Sequence, residues 1–475
     1  MTLALAAAGC ATNPATGKRQ VSFVSPSKEL EIGREADPAV QQEYGLYGDS
    51  TVQRYVDSVG QKLGSVSHLP ELTWHFRVID SPVVNAFAIP GGYIYITRGI
   101  LGYLNSEAQL AGVLGHEIGH VTARHSAQQM TRSQIAGIGL LAGAVFVSGL
   151  RPYTGLASEG LQLLFLKYSR DNESQADELG VEYATRAGYD PREIPSTYAM
   201  LKRVAERQGQ NLPNFLSTHP DPGDREVRTA QLASAAMAGA RRDLTVGSAR
   251  YRQRIEGLVF GDDPRAGYFV ANRFYHPDLG FEMIFPDGWT KTNAPSSVTA
   301  ASQSQGAAME LTLQTSSDPN ASPAQYVQSL LSDKKLEEAT GRVEPFRDFP
   351  AWVGQIVTGG EGGRQDLIAG FVRLKPGQFL QILGKSRSLS DVGGEQIFAS
   401  IRSVAAIRDT SRLNVSADRL HVTTVDRTGE LGKVLPGLGP QALSIEDTAI
   451  LNNLRATGVV NAGTPIKIVR KGRHP

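Results

Sequence analysis

Residues 116–120 read His-Glu-Ile-Gly-His within a segment whose apolar residues recur with helical spacing. On an α-helix, side chains four positions apart lie on one face, about 6 Å apart along the axis. His116 and His120 can therefore direct imidazole nitrogens at one metal ion, with Glu117 beside them to take a proton from an activated water. The pattern favours a zinc hydrolase over two unrelated histidines on a surface helix.

The flanking residues predict the helix that this pattern needs. An apolar stripe shares one helical face and consists of Leu110, Val113, Leu114, Ile118 and Val121. Asn105 or Ser106 is a typical N-cap, and Ser106 with Gln109 fits a capping box. We therefore predict one helix from about residue 106 to residue 130.

A second, acidic segment offers the third protein ligand that a catalytic zinc site usually has. Glu173 and Asp177 are four residues apart in a helical stretch that we expect to end at Gly188. We predict Glu173 as a zinc ligand, and Asp177 as the acceptor of the remaining ring N–H of a ligating histidine. The alternative is an ordinary solvated acidic helix, which the pairing with the first helix disfavours.

Four separated stretches resemble the zinc metallopeptidase family of HtpX-like proteases and type I CAAX prenyl endoproteases, which are gluzincins. They are residues 84–97, the helix with His116 and His120, the helix with Glu173 and Asp177, and residues 217–220 with Arg225 nearby. The likeness covers about residues 25 to 235. Within the family it is to the periplasmic lipoprotein branch, that of the beta-barrel assembly-enhancing proteases.

The resemblance implies a role for each matching residue of the metal site. His116, His120 and Glu173 would bind one Zn²⁺ per chain, and Glu117 would be the general base. His219 would either stabilise the oxyanion or occupy the open zinc position in a resting state. Arg225 would assist with the same developing charge.

The first of the four stretches resembles the part of the family that holds substrate. Its residues Asn85, Ala86, Phe87 and Ala88 would form an edge strand to which an extended peptide adds by backbone hydrogen bonds. Gly91 and Gly92 would make the hairpin turn that leads to the next strand.

These roles imply a zinc endopeptidase that hydrolyses peptide bonds through a zinc-bound water and the base Glu117, without a covalent intermediate. The resemblance implies unfolded or misassembled envelope proteins as substrates, in a quality-control role. The alternative is an envelope-assembly chaperone or scaffold whose proteolysis is latent or vestigial. An aminopeptidase would need a subsite for the substrate's N-terminal amine, and no sequence feature indicates one.

The other histidines have no partner pattern, and we interpret them as structural: His68, His75, His125, His276, His421 and His474. His125 follows His120 by five residues, which would place it on another side of a continuous helix.

Cys10, the single cysteine, ends a stretch from Leu5 that resembles a bacterial lipobox. Lipidation there would anchor the chain to a membrane surface by acyl chains, in the periplasm of a Gram-negative-type bacterium. Residues 1–24 would then be a signal remnant and a linker. A secretory signal has a basic start and a longer apolar core than these residues provide, so the alternative is a short apolar N-terminus with a free thiol.

Composition narrows the possible partners. Basic and acidic residues number 48 and 47, without a basic run, which argues against a nucleic-acid partner.

The apolar, glycine-rich run at residues 135–150 is short for a membrane span and predicts a buried or membrane-skimming helix, or a lid over the cleft. The sequence does not predict an oligomeric state.

The chain length of 475 residues allows several domains, and we predict an α+β protein. Residues 25–240 would form a mainly helical zincin-type protease domain with a small edge-strand sheet. Residues 265–408 would form an α+β accessory domain with one helix at 324–339. Residues 412–475 resemble a LysM-like β-α-α-β module, which would imply peptidoglycan contact, although a small interaction domain without sugar binding is slightly preferred. No tandem 34-residue repeat is visible in the second half.

Overall fold

The computed structural model of the chain describes residues 9–135, 168–208, 219, 222–239, 243–359 and 364–474. The apolar run predicted at residues 135–150 lies outside this range beyond Ile135, as do Ser217, Thr218 and Pro220 of the fourth matching stretch. In the described parts of the chain, every helix is too short or too polar to span a membrane.

The helices are concentrated in the first half of the chain. They are α1 (Pro26–Tyr44), α2 (Ser50–Gly64), α3 (Arg98–Tyr103), α4 (Glu107–Thr122), α5 (His125–Ile135), α6 (Arg170–Arg186), α7 (Ile194–Gln208), α8 (Pro222–Gly239), α9 (Ser248–Arg254), α10 (Pro323–Ser332), α11 (Val392–Arg402), α12 (Thr410–Leu413), α13 (Leu431–Val434) and α14 (Ile445–Leu451).

The strands are concentrated in the second half. They are β1 (Gly9–Thr12), β2 (Arg19–Ser22), β3 (His75–Ile79), β4 (Ala86–Ile89), β5 (Tyr93–Thr97), β6 (Val259–Phe260), β7 (Tyr268–Val270), β8 (Arg273–His276), β9 (Phe281–Ile284), β10 (Thr290–Asn293), β11 (Ser297–Ser302), β12 (Ala307–Thr315), β13 (Glu338–Pro345), β14 (Pro350–Thr358), β15 (Gln365–Lys375), β16 (Gln378–Lys385), β17 (Ala405–Ala406), β18 (Asp418–Thr424), β19 (Gly429–Glu430), β20 (Val459–Val460) and β21 (Pro465–Arg470). The predicted α+β class, helical first and sheet-rich later, is confirmed.

Local signals explain where α4 begins and ends. Ser106 is the N-cap, and its hydroxyl accepts a hydrogen bond from the backbone N–H of Gln109 at 3.1 Å. The Gln109 side chain reaches back to the backbone N–H of Asn105 rather than of Ser106. The prediction of one helix to residue 130 is wrong, because Arg124 adopts a left-handed conformation (φ 58°) and a new helix begins at His125.

Helix α6 ends as its sequence indicates. Gly188 has a φ of 83°, which glycine adopts without steric cost. Its N–H donates to Thr185, and the N–H of Tyr189 donates to the carbonyl of Ala184 at 2.8 Å. These two bonds form a Schellman motif that satisfies the last carbonyls of the helix.

Helices α4 and α6 approach each other more closely than ordinary side chains allow. A Cβ on Gly115 would lie 3.0 Å from the carbonyl oxygen of Gly180, and one on Gly119 would lie 3.1 Å from that of Ala176. Conversely, a Cβ on Gly180 would lie 3.0 Å from the backbone nitrogen of His116. Because these three positions are glycines, the two helices pack closely enough for the acidic side chains of α6 to reach the histidines of α4.

A three-stranded sheet lies beside these helices, in the order β3-β5-β4. Strand β4 pairs antiparallel with β5 and occupies one edge, and α4 packs against it. Gly91 and Gly92, with φ of 85° and 90°, connect the two strands. The predicted small sheet with an edge strand is confirmed.

The accessory region is built on a seven-stranded antiparallel sheet in the order β10-β11-β12-β16-β15-β14-β13. Its two faces carry separate apolar clusters, one with α10 and the other with α11. The predicted helix at 324–339 is too long, because Lys334 (φ 56°) ends α10 with a left-handed turn and β13 begins at Glu338.

The C-terminal unit pairs β18 with β21, and two short helices, α13 and α14, lie between them in the chain. Strand β6, which follows the helical domain, completes the sheet in the order β21-β18-β6. Buried residues of this unit belong to the same apolar cluster as the helical domain: Ala417, Leu420, Ile450, Leu451 and Val469. The two parts therefore share a core.

Lys467 reinforces this junction from within. Its side chain is fully buried, and Nζ donates hydrogen bonds of 2.7 Å to the carbonyls of Gly102 and Leu104 at the end of α3. Burial, with a smaller effect of Arg252, lowers the pKa of the Lys467 amine well below its usual value. A residue of the C-terminal unit thus holds the segment that leads into α4.

We expect Lys467→Ala to lower the free energy of unfolding by about 2–4 kcal/mol, because it removes a buried stem and leaves two carbonyls without donors. Lys471→Ala, four residues later and exposed, is the matched control and should change it by less than about 0.5 kcal/mol. Urea unfolding measures both. Equal stability of the two variants would contradict the role given to Lys467.

Candidate metal centre

Four buried side chains from three parts of the chain converge on one point. His116 and His120 come from α4, Glu173 comes from the first turn of α6, and His219 precedes α8. One ligand atom from each lies within 4.8 Å of all the others. All the zinc ligands predicted from the sequence are in this group, and His219 joins them as a fourth.

The spacing of the donor atoms fits a tetrahedral metal ion. Nε2 of His116 lies 3.0 Å from Nε2 of His120 and 3.4 Å from Nδ1 of His219. The Glu173 carboxylate lies 3.0 Å from His219 Nδ1 and 3.5 Å from each of the other two nitrogens. Zinc ligands at 2.0–2.2 Å in a tetrahedron are about 3.3–3.6 Å apart, so little adjustment would be needed.

Glu117 is completely buried beside this cluster. Within the described structure neither of its carboxylate oxygens has a hydrogen-bond partner, and Oε1 lies 3.7 Å from Nε2 of His219. Burial raises the pKa of the Glu117 carboxyl, although His219 and His116 partly oppose the shift. An unpartnered buried carboxylate is unfavourable for stability, which is typical of a group retained for proton transfer.

Asp177 lies behind His116. Its Oδ1 is 3.1 Å from His116 Nδ1, the ring nitrogen that faces away from the cluster. It also accepts hydrogen bonds from the Tyr198 hydroxyl at 2.7 Å and from Arg225 at 2.7 and 3.0 Å. Burial raises the pKa of Asp177, but Arg225 and His116 outweigh burial and lower it to about 2.

Arg225 is a buried cation between the two carboxylates of α6. Nη1 lies 2.8 Å from Glu173, and its guanidinium lies 4.4 Å from the ring centre of Tyr198. These contacts place Arg225 behind the ligands. It compensates two buried negative charges, and its Nη2 also lies 2.8 Å from the Tyr198 hydroxyl and 3.1–3.2 Å from the ring nitrogens of His116.

The carboxylates of Asp177 and Glu173 also change the pKa of the neighbouring histidines. Burial and Arg225 lower the pKa of His116, but hydrogen bonds to Asp177 and Glu173 outweigh them and raise it to about 9. Burial and the neighbouring His116 lower the pKa of His120 well below its usual value. Metal binding at His116 Nε2 would therefore release a proton.

His125, interpreted from the sequence as structural, belongs to this site. Its Nδ1 lies 3.0 Å from Nδ1 of His120, and its Nε2 lies 3.0 Å from Oε1 of Gln175. With a metal bound at Nε2 of His120, the ring proton would lie on Nδ1 and be donated to His125. The left-handed turn at Arg124 brings His125 back toward α4, which a continuous helix would not do.

Two tyrosines near the ligands had no sequence signal. Tyr168 stacks on His120 with ring centres 4.0 Å apart, and its hydroxyl lies 3.0 Å from Ser126 Oγ. Tyr198 bonds Asp177, as described above. Each tyrosine has an apolar ring and a single hydroxyl, so its sequence position does not indicate a partner. Only the folded structure shows which residues the two side chains contact.

The predicted substrate segment lies at the edge of the small sheet. Asn85 precedes β4, and its backbone carbonyl accepts from the Thr97 N–H at 3.0 Å. Ala86, Phe87 and Ala88 lie in β4, which pairs with β5 on one side only. In the described part of the chain, no hydrogen bond links the other side of β4 to a neighbouring element.

Cys10 lies in β1, opposite Val21 of β2. Residues 9–22, which fall in the predicted signal remnant and linker, form an antiparallel hairpin. Asn13 attaches this hairpin to the metal helix, because its side-chain amide donates to the carbonyl of Ala123 at 3.0 Å. The candidate lipidation position is thus close to the folded domain.

Comparison with known families agrees with this geometry. Residues 50–232 match the family model described as Peptidase family M48. The chain carries a peptidase family M48 domain. This match confirms the predicted metallopeptidase resemblance, and the M48 domain contains all four residues of the cluster.

Two relatives align with the M48 domain. The beta-barrel assembly-enhancing protease of Escherichia coli (strain K12) is 31% identical over 226 residues, which is 45% of this chain and 45% of that protein. The mitochondrial metalloendopeptidase OMA1 of Arabidopsis thaliana is 32% identical over 211 residues, or 43% and 42% of the two chains. The match thus spans less than half the length of either relative.

Among solved structures, the cyanobacterial PsbP of Synechocystis sp. PCC 6803 aligns with 29% of this chain and 95% of its own, at 13% identity. Its TM-score of 0.22 is too low to indicate a shared fold.

We expect His125→Leu to weaken zinc binding by about 10–100-fold, because the proton on His120 Nδ1 loses its acceptor. His75→Leu is the control, since His75 stacks on Tyr93 in the small sheet and does not contact the ligands. Competition with a chromogenic chelator measures both affinities. Unchanged zinc affinity in His125→Leu would remove His125 from the site.

Gly180→Ala should lower both zinc affinity and stability, the latter by about 1–3 kcal/mol, because its Cβ would press on the backbone of His116. Alanine normally favours a helix over glycine by about 0.5–1 kcal/mol, so the expected sign is reversed here. Gly239→Ala, with open space around its Cβ position, is the control. A stabilised, fully zinc-loaded Gly180→Ala would contradict the close-packing argument.

Proposed function

We propose that this chain is a zinc-dependent endopeptidase that cleaves envelope proteins in quality control. The observation that supports it most is the buried group of His116, His120, Glu173 and His219 next to the unpartnered Glu117. Three imidazoles and one carboxylate suit zinc. The M48 match and the relatives' names, a protease and a metalloendopeptidase, support the same function.

Bound zinc would polarise the scissile carbonyl and lower the pKa of the attacking water. Glu117 accepts the proton of that water, because it is the carboxylate beside the cluster with free lone pairs. Its raised pKa suits the second step, in which it delivers the proton to the leaving amine. General acid–base catalysis of this kind leaves no covalent intermediate on the protein.

Asp177 and Arg225 act as positioning residues in this proposal. Asp177 accepts the Nδ1 proton of His116, which directs the Nε2 lone pair of that ring to the metal. Arg225 stabilises the ionised forms of Asp177 and Glu173. Its Nε and Nη2 donate to Asp177 and its Nη1 lies 2.8 Å from Glu173, which favours positioning over the oxyanion contact expected from the resemblance.

His219 holds the site in a resting state in this proposal. Its Nδ1 lies in the donor cluster, where it takes the position that a substrate or water needs. Withdrawal of His219 would open that position. In the resting arrangement its Nε2 lies 3.7 Å from Glu117, so a small displacement would leave the ring near the oxyanion. This closed arrangement also favours the second candidate function, a scaffold or chaperone with latent proteolysis.

An extended polypeptide is the proposed substrate form. The outer side of β4 can pair with it through backbone hydrogen bonds, which select for unfolded chains rather than for a particular sequence. Strand β4 packs against α4, so a peptide there runs past the metal helix.

The proposed setting is the periplasm of a Gram-negative-type bacterium, with acyl chains on Cys10 as the membrane anchor. The name of the Escherichia coli relative, which concerns β-barrel assembly, supports an envelope role. The C-terminal unit has α13 and α14 between β18 and β21, together with the short pair β19 and β20. Its shared core with the helical domain favours a structural role over the peptidoglycan contact implied by the LysM-like resemblance.

Casein cleavage and metal content of the purified chain test the proposal, with Glu117→Gln and His219→Ala beside the wild type. We expect one zinc per chain, a loss of about 10²–10⁴-fold in Glu117→Gln, and a gain in His219→Ala. Zinc content must be measured for each variant, because His219→Ala also removes a donor.

Undiminished cleavage by zinc-loaded Glu117→Gln would exclude the proposed mechanism. Lost cleavage by zinc-loaded His219→Ala would make His219 a transition-state residue instead of a latch. Zinc without cleavage by any variant would favour the scaffold, and absence of zinc would contradict the site itself.

A further inference from the structure

A cavity lies at the other end of the metal helix. It has a volume of about 340 Å³ and lies between α2, α9 and the first residue of α4, Glu107. Glu107 precedes His116 by nine residues, about 13 Å along the helix axis. The cavity is therefore distinct from the metal centre, and its size is in the range of small-ligand sites.

Buried, fully bonded groups form the floor of this cavity. Glu107 is only 4% exposed, and its two carboxylate oxygens accept hydrogen bonds of 3.0 Å from the hydroxyls of Tyr55 and Tyr189. Both tyrosines are themselves buried. The carboxylate is thus already engaged by the protein, and the floor is ordered by its own bonds.

Three cations surround the same cavity. Lys62 Nζ lies 4.4 Å from the ring centre of Tyr189, and the guanidinium of Arg254 lies 5.9 Å from that of Tyr55. Arg250 reaches Glu107 only at 3.8 Å, a long ion pair. No ion pair joins Lys62 or Arg254 to a carboxylate in the part of the chain that the structure describes.

The charges around the cavity do not balance. Three cations face one carboxylate, which leaves two positive charges without a counter-ion in a concave site. Arg250 and Arg254 are four residues apart on α9, where like charges repel each other. All three side chains are exposed, so solvent screens this repulsion in part, and a bound dianion would neutralise what remains.

We propose that this cavity binds a phosphate-bearing anion. A phosphate monoester carries about −1.5 to −2 charge at pH 7, which matches the two uncompensated positive charges. Arginine offers paired N–H donors that fit phosphate oxygens, and lysine adds a point charge. The three cations and not the Glu107 carboxylate would hold the ligand, and its binding does not depend on peptidase activity.

Calorimetric titration of inorganic phosphate and pyrophosphate into the full-length, zinc-loaded chain at low salt tests this. We expect one site, and affinity reduced by at least about tenfold in the double variant Lys62→Met, Arg254→Gln. Lys471→Gln removes an exposed cation elsewhere and should bind like the wild type. If the double variant is unstable, the single variants Lys62→Gln and Arg254→Gln decide the test. We expect each of them to bind the anion about fivefold or more weakly than the wild type.

No binding of either anion at millimolar concentration would overturn the proposal, and so would unchanged affinity in the double variant or an equal loss in Lys471→Gln. Flotation with phosphatidylcholine vesicles, with and without phosphatidic acid, distinguishes the sources of the phosphate. Capture by phosphatidic acid that the double variant loses indicates a lipid headgroup. Anion binding without such capture indicates a soluble phosphate compound.

Discussion

The close approach of α4 and α6 is the contact on which the candidate site depends. Carboxylate side chains are short, so Glu173 and Asp177 reach the histidines only if the two backbones nearly touch. Gly115, Gly119 and Gly180 permit this, since a Cβ on any of them would lie about 3.0–3.1 Å from backbone atoms of the other helix. The metal centre is therefore a consequence of helix packing as much as of ligand identity.

Burying several ionisable groups around one point is unfavourable unless each has a partner. Asp177 bonds His116, Tyr198 and Arg225, while Arg225 also meets Glu173. The exception among the described groups is Glu117, whose oxygens have no hydrogen-bond partner there. The network thus separates residues that hold the ligands from the one residue free to move a proton.

The C-terminal unit contributes to the same framework. Its residues share an apolar core with the helical domain, and Lys467 bonds two carbonyls just before the N-cap of α4. The N-terminal hairpin bonds the opposite end of α4 through Asn13. Both ends of the metal helix are therefore held by segments distant in sequence, which explains why the sequence suggested separate units where the structure has a shared core.

The sequence by itself determined the features that depend on helical spacing or on a residue that begins or ends a helix. The spacing of His116 and His120, that of Glu173 and Asp177, the cap at Ser106 and the stop at Gly188 all depend on neighbours within a few residues. Only the tertiary structure decided that His125 lies behind His120, that Tyr168 stacks on it, and that Lys62, Arg250 and Arg254 meet at one cavity. Those contacts depend on a left-handed turn at one arginine and on helices brought together from distant parts of the chain, and no periodic pattern encodes either.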